Sequence, residues 1–130
     1  MSDRDSTYAP ARRWVAAYEK AWRTNDPADI RALFTDDAVY STEPWGPPWT
    51  GVDAIVDGWL KARDEPGTYT FEWDVAGVDG DRAFIQARTV YAPEGAGAKG
   101  RAYRNLWVID FAEDDRARAF TEWYMTEPGD

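Results

Sequence analysis

The loop around Glu43 places an acid among aromatic residues that could remove it from water. Tyr40 precedes it, and Trp45 and Trp49 follow it, within the proline- and glycine-rich stretch 34–51. Desolvation disfavours a charged carboxylate, so aromatic surroundings move such a group toward the range useful for a general acid or base. Glu43 is therefore a candidate catalytic base. The alternative left open is an exposed residue at a pocket rim that only caps a turn.

Histidine and cysteine are both absent from the sequence, and this excludes several kinds of site. Ser-His and Cys-His catalytic pairs are impossible, as are zinc sites built on histidine or thiolate ligands. Acid–base chemistry would fall to Asp, Glu, Tyr, Lys or Arg. A metal would need carboxylates alone, and acidic pairs such as Asp36-Asp37 stand at turn signals, where short acids serve the backbone. We expect no metal and no cofactor.

Arg88 and Glu122 form a second candidate pair on two segments far apart in the chain. If both side chains face inward, a guanidinium and a carboxylate at a pocket floor could hold a polar group of a ligand, because guanidinium presents a planar fork of donors. The alternative is a buried ion pair that fixes how the sheet closes. The sequence leaves both interpretations open.

Aromatic and amide side chains supply the remaining candidates. Tyr18 lies on the apolar face of the first predicted helix, as a hydrogen-bond donor or as core filler. Asn105 stands in mid-strand, where amides are depleted, which favours an inward hydrogen-bonding role. Period-two alternation puts Tyr103 and Trp107 on the same face as Asn105. Four tryptophans could form a roof of rings over a cavity or simply pack between helices: Trp22, Trp45, Trp49 and Trp59.

Periodicity predicts the elements that position these residues. The polar residues 1–9 are expected to be frayed, and the glycine-rich segment 93–100 to be a loose connection. Helical spacing of apolar residues predicts helices over about 10–24, from Asp26-Pro27 onward, and over about 52–63. Alternation predicts strands over 38–40, 68–78, 82–91, 102–111 and 116–125. The order predicts one α+β domain over residues 1–130, a curved antiparallel sheet with three helices on its concave side and a hollow between them.

Charge and hydropathy restrict the partners. The net charge is −9, from 24 acidic and 15 basic residues, which disfavours nucleic acid and anionic membranes. The sequence shows neither a signal-peptide pattern nor an apolar run of about 18 residues, and we expect a cytoplasmic protein. Trp123 and Met125 would lie on the convex side of the sheet, where an apolar patch suggests a partner chain and hence a homodimer.

The chain resembles the nuclear-transport-factor-2-like superfamily, and within it the SnoaL-like polyketide cyclases and Δ5-3-ketosteroid isomerase. The resemblance spans about residues 10–126 and rests on the order of elements and on the run Tyr18-x-x-Ala21-Trp22, Asp26, Ala32-Leu33-Phe34-x-Asp36-Asp37-Ala38, Glu43-Pro44-x-Gly46, Gly51 and Ala54-Ile55. It implies a cone-shaped α+β barrel with an apolar pocket for a small hydrophobic ligand. It also implies a dimer formed through the convex face of the sheet. Because this superfamily includes isomerases, dehydratases, epoxide hydrolases and binding proteins, the resemblance is specific for fold rather than function.

The same resemblance suggests roles for individual residues. Ketosteroid isomerase uses an Asp base and an oxyanion hole made of a Tyr and a protonated Asp. By motif, its tyrosine falls on Tyr18, its base near Glu43, and its protonated acid on Trp107, whose indole N–H can donate one hydrogen bond. The limonene-type epoxide hydrolases offer a second comparison, in which their Arg-x-Asp motif resembles Arg88-Thr89-Val90 without the acid. Their last-strand acid resembles Glu122.

Three hypotheses follow. The first is an enzyme that isomerises, cyclises or dehydrates a small hydrophobic molecule, with Glu43 as base and Tyr18, Asn105 and Trp107 as donors. The second is a non-catalytic binder of an apolar metabolite, in which an aromatic pocket supplies affinity and Arg88 and Glu122 orient the ligand. The third is a dimerising interaction module whose core is filled by side chains.

Overall fold

A computed structural model describes residues 3–65, 67–93 and 100–128. Its helices are α1 (Asp3–Thr24), α2 (Pro27–Arg31) and α3 (Val52–Lys61), and its strands are β1 (Phe34–Ser41), β2 (Trp49–Thr50), β3 (Tyr69–Asp79), β4 (Arg82–Tyr91), β5 (Arg101–Phe111) and β6 (Ala117–Thr126). The strands form one sheet in the order β2-β1-β6-β5-β4-β3. The β1–β6 pair is parallel and the other neighbours are antiparallel. This confirms an α+β fold with a curved, mostly antiparallel sheet. With β2 and β3 as its edges, the sheet does not close.

The first helix begins earlier than the sequence predicts. Residues 3–9, expected to be frayed, continue the helix, and the side chains of Thr7 and Tyr8 reach the third strand and the turn after it. Thr7 Oγ1 donates to the Gly80 carbonyl, and Tyr8 Oη donates to the Val75 carbonyl at 3.1 Å. Residues 1 and 2, and most of the predicted loose connection at 93–100, lie outside the described ranges.

The second helix begins as its sequence predicts. Asp26 is the N-cap, and its Oδ1 accepts the backbone N–H of Ala28 at 2.9 Å, while Pro27 occupies the first helical turn. The preceding Asn25 adopts a positive φ of 51°, which reverses the chain between the first two helices. This short turn sets the packing of α2 on α1.

Aromatic residues hold the helices against the inner face of the sheet. Trp14 of α1 donates its indole N–H to the Leu33 carbonyl at 2.8 Å. Its ring meets Phe34 edge-on at 5.8 Å and lies 5.9 Å from Phe120. Since Phe34 and Phe120 are fully buried, these contacts join α1 to adjacent strands β1 and β6.

The register of β4 overturns the expected orientation of Arg88. Arg88 pairs with Arg104 on one neighbouring strand and Glu72 on the other, and all three side chains are exposed on the outer face. Thr89 is buried instead. The prediction that Arg88 pairs with Glu122 inside the pocket is therefore wrong, because an offset of one residue moves a strand side chain to the opposite face.

None of the helices in the described part of the chain is both long and apolar enough to span a membrane.

Candidate functional site

A cavity of about 410 Å³ lies between the inner face of the sheet and helices α1 and α3. Its buried end is lined by Tyr18, Tyr40, Trp59, Thr89, Asn105, Trp107 and, less deeply, Glu122. Its exposed end is formed by Thr42, Ala62, Arg63, Arg101 and Tyr124. A ligand in this cavity would therefore meet aromatic rings and a few polar groups at one end and guanidinium groups at the other.

Two tyrosine hydroxyls meet at the buried end. The Oη atoms of Tyr18 and Tyr40 lie 2.8 Å apart, and each residue is only 8% exposed. Burial is the main reason that both pKa values are raised well above the ordinary value, and the nearby Glu122 charge adds to the effect. Both groups are therefore neutral, and one hydroxyl of the pair keeps its proton available for a ligand.

Aromatic rings fix the two tyrosines in place. The Tyr18 ring lies 4.6 Å from Trp107 and 4.8 Å from Trp59, and the Tyr40 ring stacks on Trp49 at 4.9 Å. Trp49 in turn lies directly on Gly58 of α3, where an added Cβ would collide with the indole ring. Gly58 thus lets the short β2 strand contribute a wall of the cavity.

Glu122 is the acid that the fold places toward the buried end of the cavity. It lies on β6 directly opposite Trp107 of β5, and the Asn105 Nδ2 donates toward both carboxylate oxygens at 3.3 Å. Burial raises the pKa of Glu122 to about 7, although the hydrogen bonds from Asn105 and the nearby Trp107 N–H dipole oppose that rise. The Trp107 Nε1–H is buried near this carboxyl but meets no full hydrogen-bond geometry with any described residue. It is a donor that a ligand oxygen could use.

Thr89 sets the direction of the Asn105 amide. Its Oγ1 donates to Asn105 Oδ1 at 2.8 Å, and both residues are buried. Because the amide oxygen is engaged by Thr89, the amide NH₂ is left facing Glu122. The three side chains form one hydrogen-bonded row across β4, β5 and β6.

Asp64 accepts hydrogen bonds from two side chains of the cavity wall nearer the exposed end. Its Oδ2 accepts the Trp22 Nε1–H at 3.0 Å and the Tyr91 Oη–H at 3.2 Å. Arg101 lies over the Tyr91 ring, with its guanidinium carbon 5.0 Å from the ring centroid. Burial and the Asp64 carboxylate together raise the pKa of Tyr91 well above its ordinary value, so Tyr91 is a neutral donor.

The structure brings together most of the residues singled out from the sequence. Those that line the cavity are Tyr18, Trp22, Tyr40, Trp49, Trp59, Tyr103, Asn105, Trp107 and Glu122. Glu43, Trp45 and Arg88 do not line it. Glu43 is exposed, and Trp45 is 84% exposed. Both belong to the loop that joins β1 to β2 at the edge of the sheet, where nothing in the described chain covers them.

Sequence reasoning missed several lining residues. Thr89 and Tyr91 could have been found, because Ala83, Ile85 and Ala87 alternate on β4 and put Thr89 and Tyr91 on the inner face. Arg63 and Asp64 follow α3 in a turn, and no periodicity assigns a face to a turn residue. Their place at the cavity depends on tertiary structure alone.

Solved structures similar to this one share its fold. A ketosteroid isomerase-like protein from Erwinia carotovora atroseptica SCRI1043 superposes with a TM-score of 0.66 at 20% identity, over 93% of this chain and 97% of that one. An LEH-like epoxide hydrolase from M. tuberculosis superposes with a TM-score of 0.65 at 18% identity, over 91% of this chain and 84% of that one.

At these identities both likenesses show the fold alone. No curated protein matches the sequence significantly. The model of the SnoaL-like domain matches residues 11–127, nearly the whole chain, and the protein therefore belongs to the SnoaL-like domain family.

Proposed function

We propose that this protein is an acid–base enzyme acting on a small, ring-containing molecule, with Glu122 as the proton-transfer group. The observation that carries the proposal is the position of Glu122, a largely buried carboxyl in an aromatic cavity that also holds the Tyr18–Tyr40 hydroxyl pair. A carboxyl with a pKa of about 7 both accepts and returns protons near neutral pH. This role replaces the one predicted for Glu43.

The chemistry that fits this arrangement is proton transfer next to a carbonyl. Glu122 removes a proton from the carbon beside the carbonyl, and the bonding electrons move onto the carbonyl oxygen. Hydrogen bonds from the Tyr18–Tyr40 pair and from Trp107 Nε1 stabilise the oxyanion that forms. The protonated Glu122 then returns its proton, either to another carbon in an isomerisation or to a leaving hydroxyl in a dehydration. In a cyclisation the carbanion attacks a second carbonyl before that proton is returned.

Deuterium exchange tests this proposal because it reports proton removal whatever product forms. A panel of polycyclic ketones is incubated in D₂O with wild-type protein, and loss of the proton signals beside the carbonyl is followed by NMR. We expect wild type to accelerate exchange for some members of the panel and Glu122→Gln to lose that acceleration. Equal exchange by the two proteins would remove Glu122 from the mechanism.

A non-catalytic binding function is the second candidate. Tryptophan rings form much of the cavity wall, and such walls hold flat apolar molecules without any chemistry: Trp22, Trp49, Trp59 and Trp107. Ligand titration followed by tryptophan fluorescence separates the two candidates. A ketone that shifts the fluorescence and undergoes no exchange favours the binder.

A homodimer through the outer face of the sheet belongs to the same proposal. Leu106, Trp123 and Met125 lie on that face and are 39%, 50% and 75% exposed. Sedimentation of wild type and of Trp123→Glu tests it, since a charge at this contact should shift a dimer to monomer. A wild-type protein that sediments as a monomer would contradict it. The cytoplasmic location stays a prediction from the sequence.

A further inference from the structure

The exposed end of the cavity is where the structure indicates what kind of molecule binds. Arg63 and Arg101 both line the cavity there, while most of the other lining residues are aromatic. Building on the proposed function, we infer that the substrate carries a carboxylate, which these arginines bind while its ring system and carbonyl occupy the buried end.

Arg101 is held in a position that leaves donors for a ligand. Its guanidinium lies over the Tyr91 ring, and its Nη1 donates to the Tyr103 hydroxyl at 3.4 Å. A guanidinium has five N–H donors, so within the described residues this single weak bond leaves the others for a ligand. Stacking on Tyr91 restricts the side chain and lowers the entropy lost when an anion binds.

Arg63 lines the same cavity and follows the end of α3. Its Nη1 donates to the Leu60 carbonyl at 3.3 Å, one of the carbonyls in the last turn of that helix. Within the described residues, neither Arg63 nor Arg101 lies at ion-pair distance from a carboxylate, whereas eight other Arg or Lys side chains do. In a chain with a net charge of −9, two such guanidiniums at one end of a cavity indicate a site for an anion.

The acids on the cavity wall are engaged by other side chains and not by these arginines. Asp64 is engaged by Trp22 and Tyr91, and Glu122 lies at the buried end, with a pKa of about 7 that leaves it partly protonated at neutral pH. An anionic group at the exposed end therefore meets two guanidiniums that no described carboxylate pairs with. Guanidinium suits a carboxylate in particular because its N–H groups match the two oxygens.

A matched pair of probes tests this subsite: 6-acetyl-2-naphthoic acid and its methyl ester. The two share a flat ring system and a ketone and differ in the charge at the far end. Dissociation constants are measured by calorimetry for wild type, Arg63→Gln, Arg101→Gln and the double variant. Arg88→Gln is the control, because it removes the same charge from the outer face.

We expect wild type to prefer the acid by about tenfold or more, and each variant at the cavity to reduce that preference by about fivefold, while ester affinity stays unchanged. Added salt should weaken binding of the acid only. Arg88→Gln should behave as wild type. An ester that binds as tightly as the acid, or a preference that survives the double variant, would overturn the inference. So would failure of both probes to bind.

The same probes keep this inference separate from the proposed function. If both undergo Glu122-dependent proton exchange and bind equally, the carboxylate subsite is wrong and the acid–base proposal stands. If the acid is preferred and neither probe exchanges, the subsite stands and the acid–base proposal fails.

Discussion

Two segments of this chain contain a glutamate beside aromatic residues, but the fold directs one glutamate into the cavity and leaves the other exposed. In β6, Glu122 is followed by Trp123 and Tyr124, and its carboxyl points into the cavity. In the loop between β1 and β2, Glu43 stands near Trp45, and both side chains are exposed. Apolar neighbours in sequence therefore do not determine whether an acid is buried. Burial depends instead on whether other elements of the fold pack over that part of the backbone.

The position of each segment in the sheet explains the difference. β6 lies between β1 and β5, and α1 packs over its inner face through Trp14. The loop lies at the edge, beyond the short β2 strand, and contains three prolines at positions 44, 47 and 48. Proline has no backbone N–H to donate to a neighbouring strand. This loop therefore cannot extend the strand pairing that would bury it.

Replacing each glutamate by glutamine gives the largest contrast between the two segments. Glu122→Gln should slow ketone deuterium exchange by about 10² to 10⁴-fold, the usual contribution of a general acid or base. Glu43→Gln should change the rate by less than about twofold, because the side chain faces solvent. Near-UV circular dichroism shows whether both variants keep the fold. A greater loss in Glu43→Gln would reverse the comparison.

Removing an aromatic ring from each segment compares their contributions to stability. Phe120 is 1% exposed and stacks on Tyr40 at 4.4 Å, so Phe120→Ala should lower the free energy of unfolding by about 3–5 kcal/mol. Trp45 is 84% exposed, so Trp45→Ala should change it by less than about 0.5 kcal/mol. Urea unfolding measures both. A large cost for Trp45→Ala would mean that the loop is covered in solution.

The contrast also shows what can be predicted from sequence alone. Alternation along β5 places Tyr103, Asn105 and Trp107 on one face, and all three line the cavity, because strand periodicity is a local property. The face predicted for Arg88 is wrong, because Ala83, Ile85 and Ala87 alternate on the inner face and leave Arg88 on the outer face. The fold class follows from the order of helices and strands. The complete site does not follow, since nothing periodic assigns a face to Glu43 in a loop or to Asp64 in a turn.

The pH dependence of stability is a third way to separate the two glutamates. Burial raises the pKa of Glu122 from 4.5 to about 7, so the folded chain binds this proton more tightly than the unfolded chain. The stabilisation is fully present below about pH 4.5 and is lost as the pH rises through about 7. It amounts to about 3 kcal/mol. Urea unfolding across this range should show that loss in wild type.

The two glutamine variants test the origin of that loss. Glu122→Gln should lack this part of the pH dependence, because glutamine does not titrate. Glu43→Gln should retain it, because that variant still contains Glu122. A difference between wild type and Glu122→Gln that stays constant with pH would contradict the assignment of the raised pKa to this carboxyl.

The smallest expected effect concerns the hydrogen-bonded row behind Glu122, for which the Glu43 loop has no counterpart among the described residues. Thr89→Val keeps the shape of the side chain but removes the hydroxyl that engages Asn105 Oδ1, at a cost of about 1 kcal/mol in stability. The amide is then free to turn, and Glu122 loses donors that favour its charged form. Its pKa should rise further, which moves the acidic limb of the pH–rate profile for ketone exchange toward higher pH.

Thr89→Ser keeps the hydroxyl and should restore the wild-type profile. If Thr89→Val leaves the profile in place, Thr89 only fills space, and burial alone distinguishes Glu122 from Glu43.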